Sequence, residues 1–147
     1  MSRKGFSTIE LVIVIVLIGI IAAIGFPRLR IQMEKQNIRS AKALTATLVA
    51  TARGTAIQRG CPATLNLSSD SVWVTACQIS GAAGQVAVGT KKVVGREFSV
   101  TLAPSVATVV FDPRGLTTQF QRRSVRIIGP HYQDSVVINE VGKVIRQ

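Results

Sequence analysis

The sequence predicts an α+β chain, with a long N-terminal helix followed by an antiparallel β domain, on three observations. Residues 11–26 (LVIVIVLIGIIAAIGF) carry no charge; an apolar stripe at helical spacing continues to Ala56 and stops at Gly60-Cys61-Pro62; from Pro62 onward short β-branched runs alternate with turn residues. The 147 residues leave room for one ordinary domain and an appendage, which excludes a large multidomain enzyme. Hydrophobic content of 47% with 17% charged residues excludes a disordered tail. Charge and apolarity are separated along the chain, because residues 28–147 hold 16 basic and 6 acidic side chains of a total net charge of +11.

The uncharged run alone would span about 24 Å as a helix, short of a ~30 Å hydrocarbon core. Adding Phe6–Glu10 brings the length to about 31 Å, which fits and sets Glu10 in or beside the membrane. A carboxylate there marks a partner or a function, or else it lies at the interface and snorkels. A cleaved secretory signal is the competing reading, since Arg3-Lys4 precede the run. No small-x-small site closes that run before Pro27, and a carboxylate stands at its start, so the segment is expected to be retained. Positive charges flank both sides, and a short cytoplasmic leader is the simpler topology.

Pro27 is expected to end or kink the first helical stretch. Beyond it, Met33, Ile38, Ala41, Leu44, Leu48, Ala52 and Ala56 form one stripe that would cover a sheet. Candidate strands are 63–68, 72–77, 85–88, 91–94, 96–102, 107–111, 124–128, 136–139 and 143–146, separated by Ser68-Ser69-Asp70, Gly81, Gly84, Gly89, Gly95, Pro104, Pro113, Gly115, Gly129-Pro130 and Gly142. The domains read as a leader (1–5), a membrane helix (6–27), an amphipathic helix (28–60) and a β-rich domain (61–147).

Cys61 and Cys77 are candidates for a disulfide outside the cytoplasm, with two free thiols as the alternative. A hairpin register centred on Ser69 would set Cys61 opposite Cys77, within bridging distance. Two cysteines and one histidine make no metal site, and no cofactor is expected. His131 reads as a loop residue within reach of Asp134, and no spacing suggests an activated nucleophile. Gly84–Lys91 imitates a phosphate loop but reverses its final Lys-Thr order and lies between strands, so it reads as a hairpin. An anchored enzyme is the least supported class.

Lys4-Gly5-Phe6-Ser7-Thr8-Ile9-Glu10-Leu11, followed by the apolar run and Pro27, resembles the leader and assembly segment of type IV prepilins and of type II secretion pseudopilins. The resemblance implies cleavage between Gly5 and Phe6 by a prepilin peptidase and N-methylation of Phe6. It also implies that Glu10 meets the N-terminal amine of a neighbouring subunit during assembly. Three further fragments resemble the GspH/FimT family: Ala52-Arg53 with Ala56-Ile57 and Arg59-Gly60, then Phe111-Asp112-Pro113-Arg114-Gly115, then Gly142-Lys143-Val144-Ile145-Arg146. The last is loose, with Lys143 where Arg is usual and an extra residue before Arg146. The family's place is a single-pass protein of the bacterial inner membrane, its C-terminal domain in the periplasm, assembled with other pilins into a filament.

The basic surplus needs a partner. Arg122, Arg123 and Arg126 cluster at one strand, Lys91-Lys92 and Arg96 at another, and Lys143 with Arg146 close the chain. A basic surface attracts phosphates and releases counterions, so Arg122, Arg123, Arg126, Lys143 and Arg146 are candidate contacts to double-stranded DNA. The FimT-like resemblance points to the C-terminal tail in particular. One Trp, one Tyr and five Phe argue against single-strand readout. The second reading is a GspH-like pseudopilin of a type II secretion system, whose basic surface docks other pseudopilins or exported proteins.

Overall fold

The computed structural model describes residues 7–78 and 84–145. The chain divides into two compact units, Met1–Met33 and Glu34–Gln147. A single helix, α1 (Thr8–Arg59), contributes to both, with Pro27 inside it. Pro27 does not end the helix: its ring removes one hydrogen bond from the ladder, and the turns on either side continue.

In the first unit the helical residues face outward all round, from Ile9 to Met33. An 18-residue window there has a mean hydropathy of 3.0 and none of it is buried, so the segment is long and apolar enough to cross a membrane. Glu10 lies in the first turn of α1.

The second unit places the rest of α1 against two four-stranded antiparallel sheets. The strands are β1 (Ala63–Leu67), β2 (Val72–Cys77), β3 (Gln85–Lys92), β4 (Thr101–Pro104), β5 (Thr108–Phe111), β6 (Arg123–Ile128), β7 (Gln133–Ile138) and β8 (Val144–Ile145), with a one-turn helix α2 (Val94–Phe98) between β3 and β4. One sheet has the order β3-β2-β1-β5 and the other β4-β6-β7-β8. Period-two alternation buries Val72, Val74 and Ala76 on β2 and Val125 and Ile127 on β6. These join Ala63, Leu65, Val109, Phe111, Leu102, Val136 and Ile138 in one core with the helix.

The buried stripe of α1 is Ile38, Ala41, Thr45, Val49, Ala52, Thr55 and Ala56. It shares four positions with the expected stripe. Leu44 and Leu48 are half-buried at its margin, and Met33 is 63% exposed. Thr45 enters the core because its hydroxyl donates to the Ala41 carbonyl at 2.8 Å, which satisfies the only polar atom on the side chain.

Two strand expectations are corrected. Segments 85–88 and 91–94 merge into β3, and the extra residues are absorbed by a register shift opposite Val72 and Val74. Segment 96–102 is not one strand, because α2 occupies its start. The Gly95 amide donates to the Asp70 carbonyl at 2.7 Å, and the Val100 amide returns to the Gly95 carbonyl at 3.1 Å, which closes one helical turn before β4. Gly81 lies outside the described residues, as do residues 79–83 generally.

Cys61 and Cys77 form a disulfide with their Cα atoms 6.3 Å apart. The register behind the expectation is corrected all the same. Ala63 faces Ala76 and Leu67 faces Val72, one residue out from a hairpin centred on Ser69. The turn holds four residues, Ser68–Ser71, closed by the Ser68 amide donating to the Ser71 carbonyl at 2.9 Å. Cys61 precedes β1 and is not bound by the strand alternation, so the bridge closes across the shifted register. The Arg59 guanidinium donates to the Cys77 carbonyl at 2.7 Å beside it.

Candidate functional site

The three family-like fragments meet in space. After β5, Asp112 organises a turn: its carboxylate accepts from the Arg114 amide at 3.0 Å and the Leu116 amide at 2.8 Å, while its carbonyl accepts from the Gly115 amide at 2.9 Å. Gly115 is buried against the end of α1, where a methyl in its place would stand 2.7 Å from Ile57 Cδ1 and 3.1 Å from Arg53 Nε. Gly142 sits over the fully buried Phe111 ring; a methyl there would approach Phe111 Cε1 to 2.7 Å. The Thr117 hydroxyl donates to the Glu140 carbonyl and ties the stretch after the first turn to the second. Each fragment is thus one face of a single seam.

That seam carries part of the basic set. Arg122, exposed, lines a shallow groove with Asn139, Glu140 and Val141. Exposed Lys143 borders a second groove with Arg53, Ala46, Thr47 and Ala50 of α1. The three strand arginines do not act as one cluster, which corrects the sequence expectation. Arg123 is half-buried, shares the strand parity of buried Val125 and Ile127, and donates to Gln119 Oε1 at 2.5 Å. Arg126 is exposed on the other face, donating to Gln133 Oε1 at 3.3 Å. Residues three apart on a strand point to opposite sides. Lys91 is also committed, its ammonium lying 4.6 Å from the centroid of the Trp73 ring. Gly5, Phe6 and Arg146 lie outside the described residues.

The carboxylates of the domain are held mostly by the fold itself. Asp134 pairs with Lys42 at 2.8 Å, not with His131. Asp70 accepts from the hydroxyls of Ser71 at 2.8 Å and Ser68 at 3.1 Å; the Ser71 bond first, then that of Ser68, holds its carboxyl below the ordinary range. Glu34, on α1, takes the amides of His131 at 2.6 Å and Tyr132 at 2.8 Å on one oxygen and the His131 ring at 3.1 Å on the other. Asp112 serves its own turn. Of the six acidic residues beyond position 27, Glu97 and Glu140 alone are exposed without such a role among the described residues.

The Glu34 clamp fixes the β6–β7 turn to the helix and has a pH signature. The His131 amide, above all, holds the Glu34 carboxyl below its ordinary value of 4.5, against the opposing effect of burial. A depressed folded value means the contribution to stability is complete above that ordinary value and is lost as pH falls through the folded one. Glu34→Gln is therefore expected to melt below wild type at pH 7, with the gap narrowing as the pH is lowered past 4.5. Thermal unfolding across that range measures it, and a gap that stays constant with pH contradicts the clamp's dependence on charge.

Among the described residues no group of three or more His, Cys, Asp or Glu could hold a metal ion. The geometry offers exposed cations in the β domain, Arg122 and Lys143 beside its turns and Arg126 on β6, and an apolar helix long enough to cross a membrane at the N-terminal side of the sequence.

The family model described as Type II transport protein GspH matches residues 41–142, more than half of the chain. The fold is similar to the crystal structure of the type IV minor pilin FimU of Pseudomonas aeruginosa strain PAO1. In space group P21 the TM-score is 0.61 at 17% identity, covering 78% of this chain and 90% of that chain. In space group P65 it is 0.57 at 17% identity, covering 74% and 91%. A search of curated protein sequences gives no match. The fold is pilin-like, and the apolar helix is long enough to anchor the chain in a membrane. The chain belongs to the GspH family.

Proposed function

We propose that this protein is a minor subunit of a type IV pilus whose basic end binds DNA for uptake. A prepilin peptidase cuts after Gly5, Phe6 becomes the methylated N-terminus, and Glu10 neutralises the amine of a neighbouring Phe6 in the filament. The β domain lies in the periplasm, a placement supported by the Cys61–Cys77 disulfide, since such bonds persist in oxidising compartments. No enzymatic step is assigned to it.

One observation carries the DNA reading. Four of the domain's six carboxylates are engaged inside the fold, while Arg122, Arg126 and Lys143 face solvent without a carboxylate partner among the described residues. Arg146 completes the candidate contacts, and Arg123, half-buried and turned to the other side of β6 from Arg126, is not counted among them. Four phosphate contacts imply a salt slope of about −3.6, so affinity falls roughly 150-fold between 50 and 200 mM salt. We expect the full chain in non-ionic detergent to shift duplex DNA in gels at low salt with that dependence, and Arg122→Ala to reduce the slope by about 1. Failure to bind at low salt, or binding indifferent to salt, overturns the reading.

A second reading keeps the protein in a type II secretion filament, where the same surface meets acidic partners. The description of the matching family favours it. Companion genes separate the two, since secretion operons and pilus or competence clusters differ.

A further inference from the structure

We infer that Phe120 is a stacking platform for one unpaired nucleic-acid base at the basic end of the domain, an inference that rests on the DNA-binding reading above. Phe120 is 62% exposed and has φ +43°. For a bulky L-residue this left-handed backbone is an outlier, and such outliers gather where a side chain has to be presented. Among the described residues the other positive-φ residue that is not glycine, Ser99, is small and closes α2. Phe120 closes no helix and packs into no core.

The loop is fixed at both ends and turns its middle outward. The Phe120 amide reaches the Thr117 carbonyl at 3.4 Å, buried Thr117 is held by the Glu140 carbonyl, and Arg123 donates across the loop to Gln119. Exposed Gln121 and Arg122 follow Phe120 directly, and Arg122 shares its groove with Val141, which is 47% exposed. Glu140 is the one carboxylate of that groove. A hydrophobic ring held outward next to guanidinium and amide groups, on a chain of net charge +11, matches a polyanion with accessible aromatic faces. Bases within a duplex keep their faces stacked on each other, so the ligand is a single strand or a frayed end, against the expectation from the low aromatic content, because one ring held outward suffices for one base.

The experiment compares an oligothymidylate strand with a dumbbell duplex that has no unpaired ends, each labelled for fluorescence anisotropy, against the full chain in non-ionic detergent. Phe120→Ala is expected to weaken the single strand by roughly 5- to 100-fold and to leave the duplex within about twofold, with Phe120→Trp restoring binding. Phe120→Gly removes the ring while relieving the backbone and should behave as alanine does, which separates the ring from the strain; melting temperatures verify that the variants are folded. Equal effects of Phe120→Ala on both ligands, or no effect on either, overturn the inference while leaving the phosphate contacts standing. A wild-type protein that binds neither ligand overturns both. Loss of Phe120→Ala from sheared filaments with single-strand affinity intact assigns the ring to a protein neighbour instead and likewise overturns it.

Discussion

Replacing Glu10 with alanine is expected to remove the protein from sheared filaments while leaving it in the membrane. Two energies act on this carboxylate. At the first turn of α1 the helix dipole favours a negative charge by ~0.3–1 kcal/mol. Placing a carboxylate deep in hydrocarbon opposes it by roughly 2.5–3.5 kcal/mol on insertion scales. The cost of desolvation exceeds the gain from the dipole, so alanine inserts as well as wild type or better. If the same charge gains a cationic neighbour in a filament, as proposed above, losing a pairing of that size lowers incorporation by tens- to hundreds-fold at equilibrium. Glu10→Gln keeps the shape and some hydrogen bonding but not the charge, so it is expected to follow alanine. Immunodetection in membranes and in sheared filaments reads both quantities. Wild-type amounts of Glu10→Ala in filaments would mean that Glu10 only snorkels at the interface.

Much of the fold was legible because its signals are local. A long uncharged run, a helix stop at Gly60-Cys61-Pro62 and alternation in 72–77 each fall within one element, and each of these elements is where the pattern put it. The misreadings came from contacts between elements. Val94–Phe98 carries β-formers, yet hydrogen bonds from the β1–β2 turn and from Val100 wind it into a helix. Thr45 and Thr55 looked polar, and burial of Thr45 depends on a carbonyl one turn back. The Ser69-centred register failed because a four-residue turn has no central residue. For the candidate site, the basic residues could be read off, but not that Arg123 and Arg126 diverge, nor that Glu34 clamps a turn 97 residues away. Phe120 was invisible in the same way: a left-handed backbone at an aromatic leaves no mark in composition or spacing.

Phe111→Ala is expected to be among the most destabilising single changes in the β domain, and Gly142→Ala is expected to cost stability through the same ring. Phe111 is fully buried, and truncating such a side chain costs about 3–5 kcal/mol, a large part of the ~5–15 kcal/mol that holds a domain together. For a domain of this size the melting temperature should fall by on the order of 15 °C. Gly142→Ala meets two penalties: φ of +79°, which an L-residue adopts at about 1–2 kcal/mol, and a methyl 2.7 Å from Phe111 Cε1, whose relief adds roughly 1–3 kcal/mol. The double variant discriminates between them. With the ring gone the new methyl has space, so only the backbone penalty remains and the combined loss is smaller than the sum by ~1–3 kcal/mol. Unfolding followed by fluorescence of Trp73, the single tryptophan, gives all four corners of the cycle. Additive losses would show that Gly142 is required for its backbone alone, and that the contact joining the turn before β8 to the end of β5 does not hold the seam on which Arg122 and Lys143 are mounted.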